Sequence, residues 1–422
     1  MKICAMGKMF LAAMAMVSMV CEAASVGEVC VRQMWPWHEK VRIDYTLSGE
    51  PGELSDIKVT VRDSLGKEVI PLCSSFSGDL MEVLPGERVI WWDPAASGLE
   101  LGNTQLSFTL EAESDPKRYC VIDIATADKY AVSYLSNPPV EGWTDDYLET
   151  KIVLKHIRPG VFMMGSPADE KGRVESVDVN VLAESYRQVT LSKDFYIGVF
   201  PLTHAQVTNL VPGAGASVNW MKPHMAQMGL SFKFLMGMSE NAAWKAAPIP
   251  LEGSLLHKIS VGIVSGHLPE GFHLSLPTEA QWEYACRAGT TSAYNDGSQC
   301  SCAFNEDVRD LALDLLAAYN KRNNGNLQSN GHSIGVKDLK PNAWGLYAFH
   351  GFVREWVLDG NMGVLPDTPV VDPFVSTTLW PSMRGGSYSQ RASQCRSASR
   401  YYRPNEQSDW ANGGRIALIK NW

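Results

Sequence analysis

The chain changes its pattern near residue 113, and that change restricts its fold more than any single motif does. From Val26 to Glu113, apolar residues recur at every second position. Val41, Ile43, Tyr45 and Leu47 alternate with Arg42, Asp44 and Thr46, and Ile57, Val59 and Val61 with Lys58, Thr60 and Arg62. Leu106, Phe108 and Leu110 alternate in the same way with Gln105, Ser107 and Thr109. Successive side chains of a strand point to opposite faces, so each run offers one apolar face to a core. Turn residues at Gly49–Gly52, Ser64–Gly66, Pro85–Gly86 and Asp93–Pro94 divide the runs. Short strands at this spacing predict a small all-β sandwich over residues 25–113. No reactive side chains cluster there, which assigns it a structural or spacer role.

A connector over 114–148 follows, with Asp115–Pro116, Asn137–Pro138–Pro139 and Gly142, and with strand character at Tyr119–Ile124. Residues 149–422 form the second domain, rich in Gly, Pro, Asn and Trp and poor in long periodic stretches, which predicts much irregular structure. One helix stands out. Thr278 follows Pro277 and has Gln281 three positions on, a capping-box spacing that satisfies the free amides of a helix start. Glu279 lies in the first turn, where the helix dipole favours negative charge, and Gly289 is placed to end the element. A second helix is expected from about Gly253 to Val261.

The N-terminus has the order of an export signal over residues 1–24. Lys2 and Lys8 precede an apolar run from Met9 to Val20, and small residues follow at Ala23, Ala24 and Ser25. The protein is therefore expected in the periplasm, at the cell surface or secreted. Elsewhere no apolar run reaches the length of a membrane span. The formal charge of −9, with no basic run, argues against nucleic acid as a partner. Of nine cysteines, Cys4 and Cys21 leave with the signal. The rest are Cys30, Cys73, Cys120, Cys286, Cys300, Cys302 and Cys395, an odd set in which at least one thiol stays free or pairs with another chain. Cys300 and Cys302 form a C-x-C pair with no second pair at zinc-site spacing, and are read as disulfide partners or free thiols. The histidines include no HExxH and no H-x-x-x-H-x-E, and serine-hydrolase and P-loop signatures are absent.

Four stretches carry the second domain: Phe162-Met163-Met164-Gly165-Ser166, the helix segment from Leu276 to Thr290, the WGLY segment from Pro341 to Trp356, and Arg384 to Arg400. With Phe195-Tyr196-Ile197-Gly198 and the closing Gly413-Gly414-Arg415, their order and spacing resemble the formylglycine-generating enzyme, or sulfatase-modifying factor, family. The resemblance implies an α+β, C-type-lectin-like fold with long loops. It also implies an oxidase that converts a sulfatase cysteine to formylglycine with copper held by two cysteines after a GGS segment.

Here Arg384-Gly385-Gly386-Ser387-Tyr388 matches that segment; aligned without a gap, Gln390 stands where the first cysteine is expected and Cys395 where the second is, and aligned with a gap, Cys395 falls beside a cysteine that the family uses for a structural disulfide. Two thiolates suit copper(I), and a carboxamide does not. Catalysis by Cys395 and Ser387 would belong to the oxidase reading. The other reading is a non-catalytic module that binds an exported protein or a carbohydrate. The resemblance implies a disulfide between Cys286 and Cys395. It also implies calcium at Gly351 and Glu355, although Ala348 replaces an oxygen ligand and Arg354 adds a positive charge. Tyr401, Tyr402, Arg403, Asn405 and Trp410, together with Gln390, fall where the family has its surface cleft. Rigid aromatics beside Arg and Asn suit peptide or sugar recognition.

Overall fold

The computed structural model describes residues 24–34, 38–97, 99, 105–176, 180–215, 221–237, 249–304, 306–323, 326–329, 334–376 and 380–420. The export signal expected over 1–24 falls almost wholly outside them. No helix among the described residues is long and apolar enough to cross a membrane.

The alternating runs near the N-terminus form two antiparallel sheets. One has the order Ser25–Gln33, Val41–Ser48, Gly86–Trp92, Phe76–Gly78. The other has the order Glu68–Val69, Ser55–Arg62, Ser107–Ser114. Their inner faces share one core of Ile43, Tyr45, Leu47, Val61, Ile90 and Trp92. Register follows the alternation, since a slip of one residue would turn every apolar side chain to solvent.

The rest is mixed α and β with much irregular backbone. Its main sheet has seven strands in the order Ile263–Ser265, Tyr130–Leu135, Tyr119–Asp123, Lys151–Ile157, Phe195–Gly198, Ala417–Lys420, Phe272–Ser275. Two of these strands come from the expected connector, and Tyr119–Asp123 is interior, buried along nearly its whole length. A four-stranded sheet, Arg400–Tyr402, Pro381–Arg384, Arg354–Gly360, Asn412–Gly414, positions the candidate site. A smaller one joins Gly160–Met164, Arg187–Leu191 and Val370–Val371.

The helix Glu279–Arg287 starts at Thr278, whose side chain accepts from the Gln281 amide while the Gln281 side chain returns the bond. It ends at Ala288 in the left-handed region, followed by Gly289 at φ 91°. Every residue of this helix is buried, charged ones included. The second expected helix is Leu255–Gly262, capped by Ser254.

Burial of so many charges is resolved by pairing. Glu279 holds Arg400 at 2.7 Å, and Glu283 holds Arg287 at 2.8 Å and also Arg384. Glu170 and Glu184 both pair with Arg396, and Glu355 pairs with Arg415 at 2.9 Å. An isolated buried charge would cost several kcal/mol, so each member of this network depends on its partner.

Candidate functional site

The segment Arg384–Arg400 leaves its strand through Gly385 and Gly386, at φ 91° and 73°. A Cβ on Gly385 would lie 2.7 Å from the Phe349 carbonyl, and one on Gly386 would lie 2.7 Å from both the Cys395 sulfur and the Gln394 carbonyl. Only glycine lets the chain fold this closely onto the turn Ala392–Cys395. Ser387 is buried, with its hydroxyl 3.1 Å from that of Ser389. The Gln390 amide N–H donates to the Ser387 carbonyl at 3.0 Å, and the Gln390 carbonyl accepts from Asn320. Gln390 therefore closes a turn with its backbone, while the residue is half-buried and its buried side-chain oxygen has no hydrogen-bond partner among the described residues.

Cys395 has no exposed surface, and its thiol faces the Ser387 carbonyl at 3.9 Å. Burial pushes that thiol up to about 12, so it stays protonated at neutral pH. His350, absent from the sequence-predicted site, is the group that holds this turn. Its Nδ1 donates to the Cys395 carbonyl at 2.7 Å, and its Nε2 accepts from the Asn295 amide at 3.2 Å. Burial drives its pKa down to about 4, so the ring is neutral. No spacing signal marks this histidine, because both of its partners are backbone groups.

The expected Cys286–Cys395 bridge is not formed. Cys286 belongs to the large core and donates to the Ser397 hydroxyl, whereas Cys395 packs in a small separate cluster with Tyr294 and Cys300. The residues do not fit copper(I) after the GGS segment either, since a neutral amide and a buried protonated thiol replace two thiolates.

Calcium at Gly351 and Glu355 is also not supported. Glu355 accepts from Trp282 Nε1 at 2.6 Å and from two nitrogens of Arg415 at 2.9 and 3.0 Å. Its oxygens are engaged by cation and indole, and Ala348 supplies no side-chain oxygen. Arg354, one residue earlier, turns away to Asp409 at 2.9 Å.

The expected cleft residues divide. Tyr401 is buried, with its ring under the Arg354 guanidinium and its hydroxyl bonded to the Gln394 carbonyl, so it belongs to the core. Tyr402 is half-buried, 5.4 Å ring to ring from Trp380. Arg403 is half-buried and reaches Asp409 at 3.7 Å, and the Asn405 carbonyl accepts from the Lys233 amide. Trp410 and Trp380 are 45% and 42% exposed, unusual for the largest apolar side chain. A cavity of about 760 Å³ opens elsewhere, between the sandwich and the second unit, lined by Ile57, Val59, Phe76, Tyr284 and Trp344 among others. None of its lining comes from the Arg384–Arg400 segment.

Residues 148–418 match the family described as "Sulfatase-modifying factor enzyme 1-like domain". A formylglycine-generating enzyme of Streptomyces coelicolor is 33% identical over 129 residues, which is 28% of this chain and 38% of the relative. The chain thus spans well under half the length of that curated relative. Among solved structures, PvdO from Pseudomonas aeruginosa aligns at 18% identity with a TM-score of 0.46, covering 63% of this chain and 94% of its own. Treponema denticola variable protein 1 aligns at 18% identity with a TM-score of 0.44, covering 64% of this chain and 95% of its own.

Proposed function

The chain belongs to the sulfatase-modifying factor family, and from that premise we propose that it is a non-catalytic member, exported to bind protein or carbohydrate. Its α+β, loop-rich fold is the C-type-lectin-like one of that family. One observation carries the reading: after Gly385-Gly386-Ser387 the chain has Gln390 and a completely buried Cys395 thiol instead of two accessible thiolates. An oxidase step has no footing at this site, because the side chains that would hold copper are not those present.

The binding surface in this reading is Tyr402, Arg403, Asn405 and Trp410, joined by Trp380. Large exposed aromatics beside a guanidinium and an amide offer flat apolar faces with polar rims, which suit a sugar ring or an extended peptide.

Arrays of glycans and peptides probed with the mature protein test the proposal. For any captured ligand, Trp410→Ala and Tyr402→Ala should each weaken binding about tenfold or more while leaving the unfolding midpoint in place. Affinity unchanged in both variants would remove this surface from consideration.

A further inference from the structure

A second cluster, independent of that surface, has a different chemistry. Cys300, Cys302 and Asp310 converge so that two sulfurs and a carboxylate oxygen lie within 4.8 Å of one another. The three residues are 4%, 1% and 2% exposed. Ser301 between the thiols and Ala303 after them are exposed, so the cluster lies one layer beneath the surface. The C-x-C spacing alone, without a second pair, does not reveal it. Asp310 arrives from eight residues beyond Cys302, a separation no zinc-ligand pattern anticipates.

The carboxylate is held in place from behind. Tyr294 Oη donates to Asp310 Oδ2 at 3.1 Å, the Ser301 amide donates to the same oxygen at 2.9 Å, and the Ala312 amide donates to Oδ1 at 3.1 Å. Outer partners of this kind fix the orientation of a ligating carboxylate. Cys300 is hydrogen-bonded to the Tyr294 side chain and its Sγ lies 3.4 Å from the Cys302 carbonyl, while Cys302 Sγ lies 3.6 Å from Ser301 Oγ and 3.8 Å from the Val308 carbonyl.

We propose that Cys300, Cys302 and Asp310 bind a divalent cation of the zinc class, leaving a fourth position open. Burial keeps both thiols protonated without metal, so binding would release their protons to solvent, and the resulting two thiolates and carboxylate match the sulfur and oxygen donors that zinc accepts in tetrahedral sites. The hard carboxylate sets the site apart from one built for copper(I), which prefers soft sulfur donors. Cys395 packs in the same small apolar cluster and is the natural rival ligand.

Reduced, metal-free protein titrated with cobalt(II) as a spectroscopic stand-in tests the site. One equivalent should produce thiolate-to-cobalt charge-transfer absorption in the near ultraviolet, and zinc(II) should displace it. Cys302→Ser should abolish the band. Asp310→Asn and Tyr294→Phe should keep the band and weaken zinc about 10- to 100-fold. Cys395→Ser should change neither. Two outcomes would overturn the proposal. One is no charge-transfer band in wild-type protein whose thiols are shown to be reduced. The other is a band that survives Cys302→Ser and disappears in Cys395→Ser.

Discussion

At the scale of single residues, the charged positions of the signature stretches serve the fold. Glu355 resembles a calcium ligand in sequence, yet Arg415 grips both of its oxygens and lies 4.0 Å from the Phe349 ring centre. Arg415→Met should therefore cost about 3–5 kcal/mol in urea unfolding, because it strands a buried carboxylate. Adding calcium to metal-free protein should leave the wild-type midpoint unmoved. His156 carries the pH dependence, with Nδ1 2.6 Å from Asp115 and Nε2 2.9 Å from Asp194, which also pairs with Lys420. Burial opposes its protonation, but the two carboxylates outweigh burial and raise its pKa above 6.5. The folded state therefore binds that proton more tightly than the unfolded chain does. Its stabilisation is complete below 6.5 and is lost as pH rises through the raised value. Asp115 and Asp194 are held below 3.8 despite burial, through their hydrogen bonds to His156 and, for Asp194, Lys420. Their share is present above 3.8 and is lost as pH falls through the depressed values. Unfolding free energy measured against pH should fall on the alkaline side, and His156→Asn should flatten that limb. None of these pairs was legible in the sequence, since each joins residues distant in the chain.

At the scale of elements, what was legible depended on local signals. The helix Glu279–Arg287 was readable because Thr278 and Gln281 form a reciprocal cap and Gly289 ends the pattern. Its complete burial was not readable, because Glu279, Glu283 and Arg287 look solvent-facing until their partners arrive from Arg384 and Arg400. The helix His204–Leu210 was missed, although Thr203 and Gln206 repeat the same cap spacing. Seven residues give too little periodicity to register. Tyr119–Asp123 looked like part of a connector because its flanks are proline-rich, and tertiary pairing on both sides made it an interior strand. Thr278→Ala removes the hydroxyl that accepts from the Gln281 amide, keeps the bond from the backbone N–H of residue 278 to Gln281, and should cost about 1–2 kcal/mol, read from chemical denaturation.

At the scale of the whole molecule, the change of pattern near residue 113 announced a sandwich and a second unit, but not how they adhere. Arg118 is buried and donates to Asp56 at 2.6 Å, Lys155 reaches Glu82 at 2.8 Å, and Arg158 adds bonds to Asp56 and Glu113. With those ties the two units should unfold in one calorimetric transition. Arg118→Met should lower stability by about 3 kcal/mol and split that transition in two. The departure from a two-thiolate copper site was legible as one letter, Gln390, and the structure adds the burial of Cys395. The most direct test supplies the purified protein with copper(I), oxygen and a sulfatase-type cysteine peptide, and follows the peptide by mass spectrometry. The cysteine should be recovered unchanged. Formation of the aldehyde by wild-type protein, lost in Cys395→Ser, would contradict the non-catalytic reading.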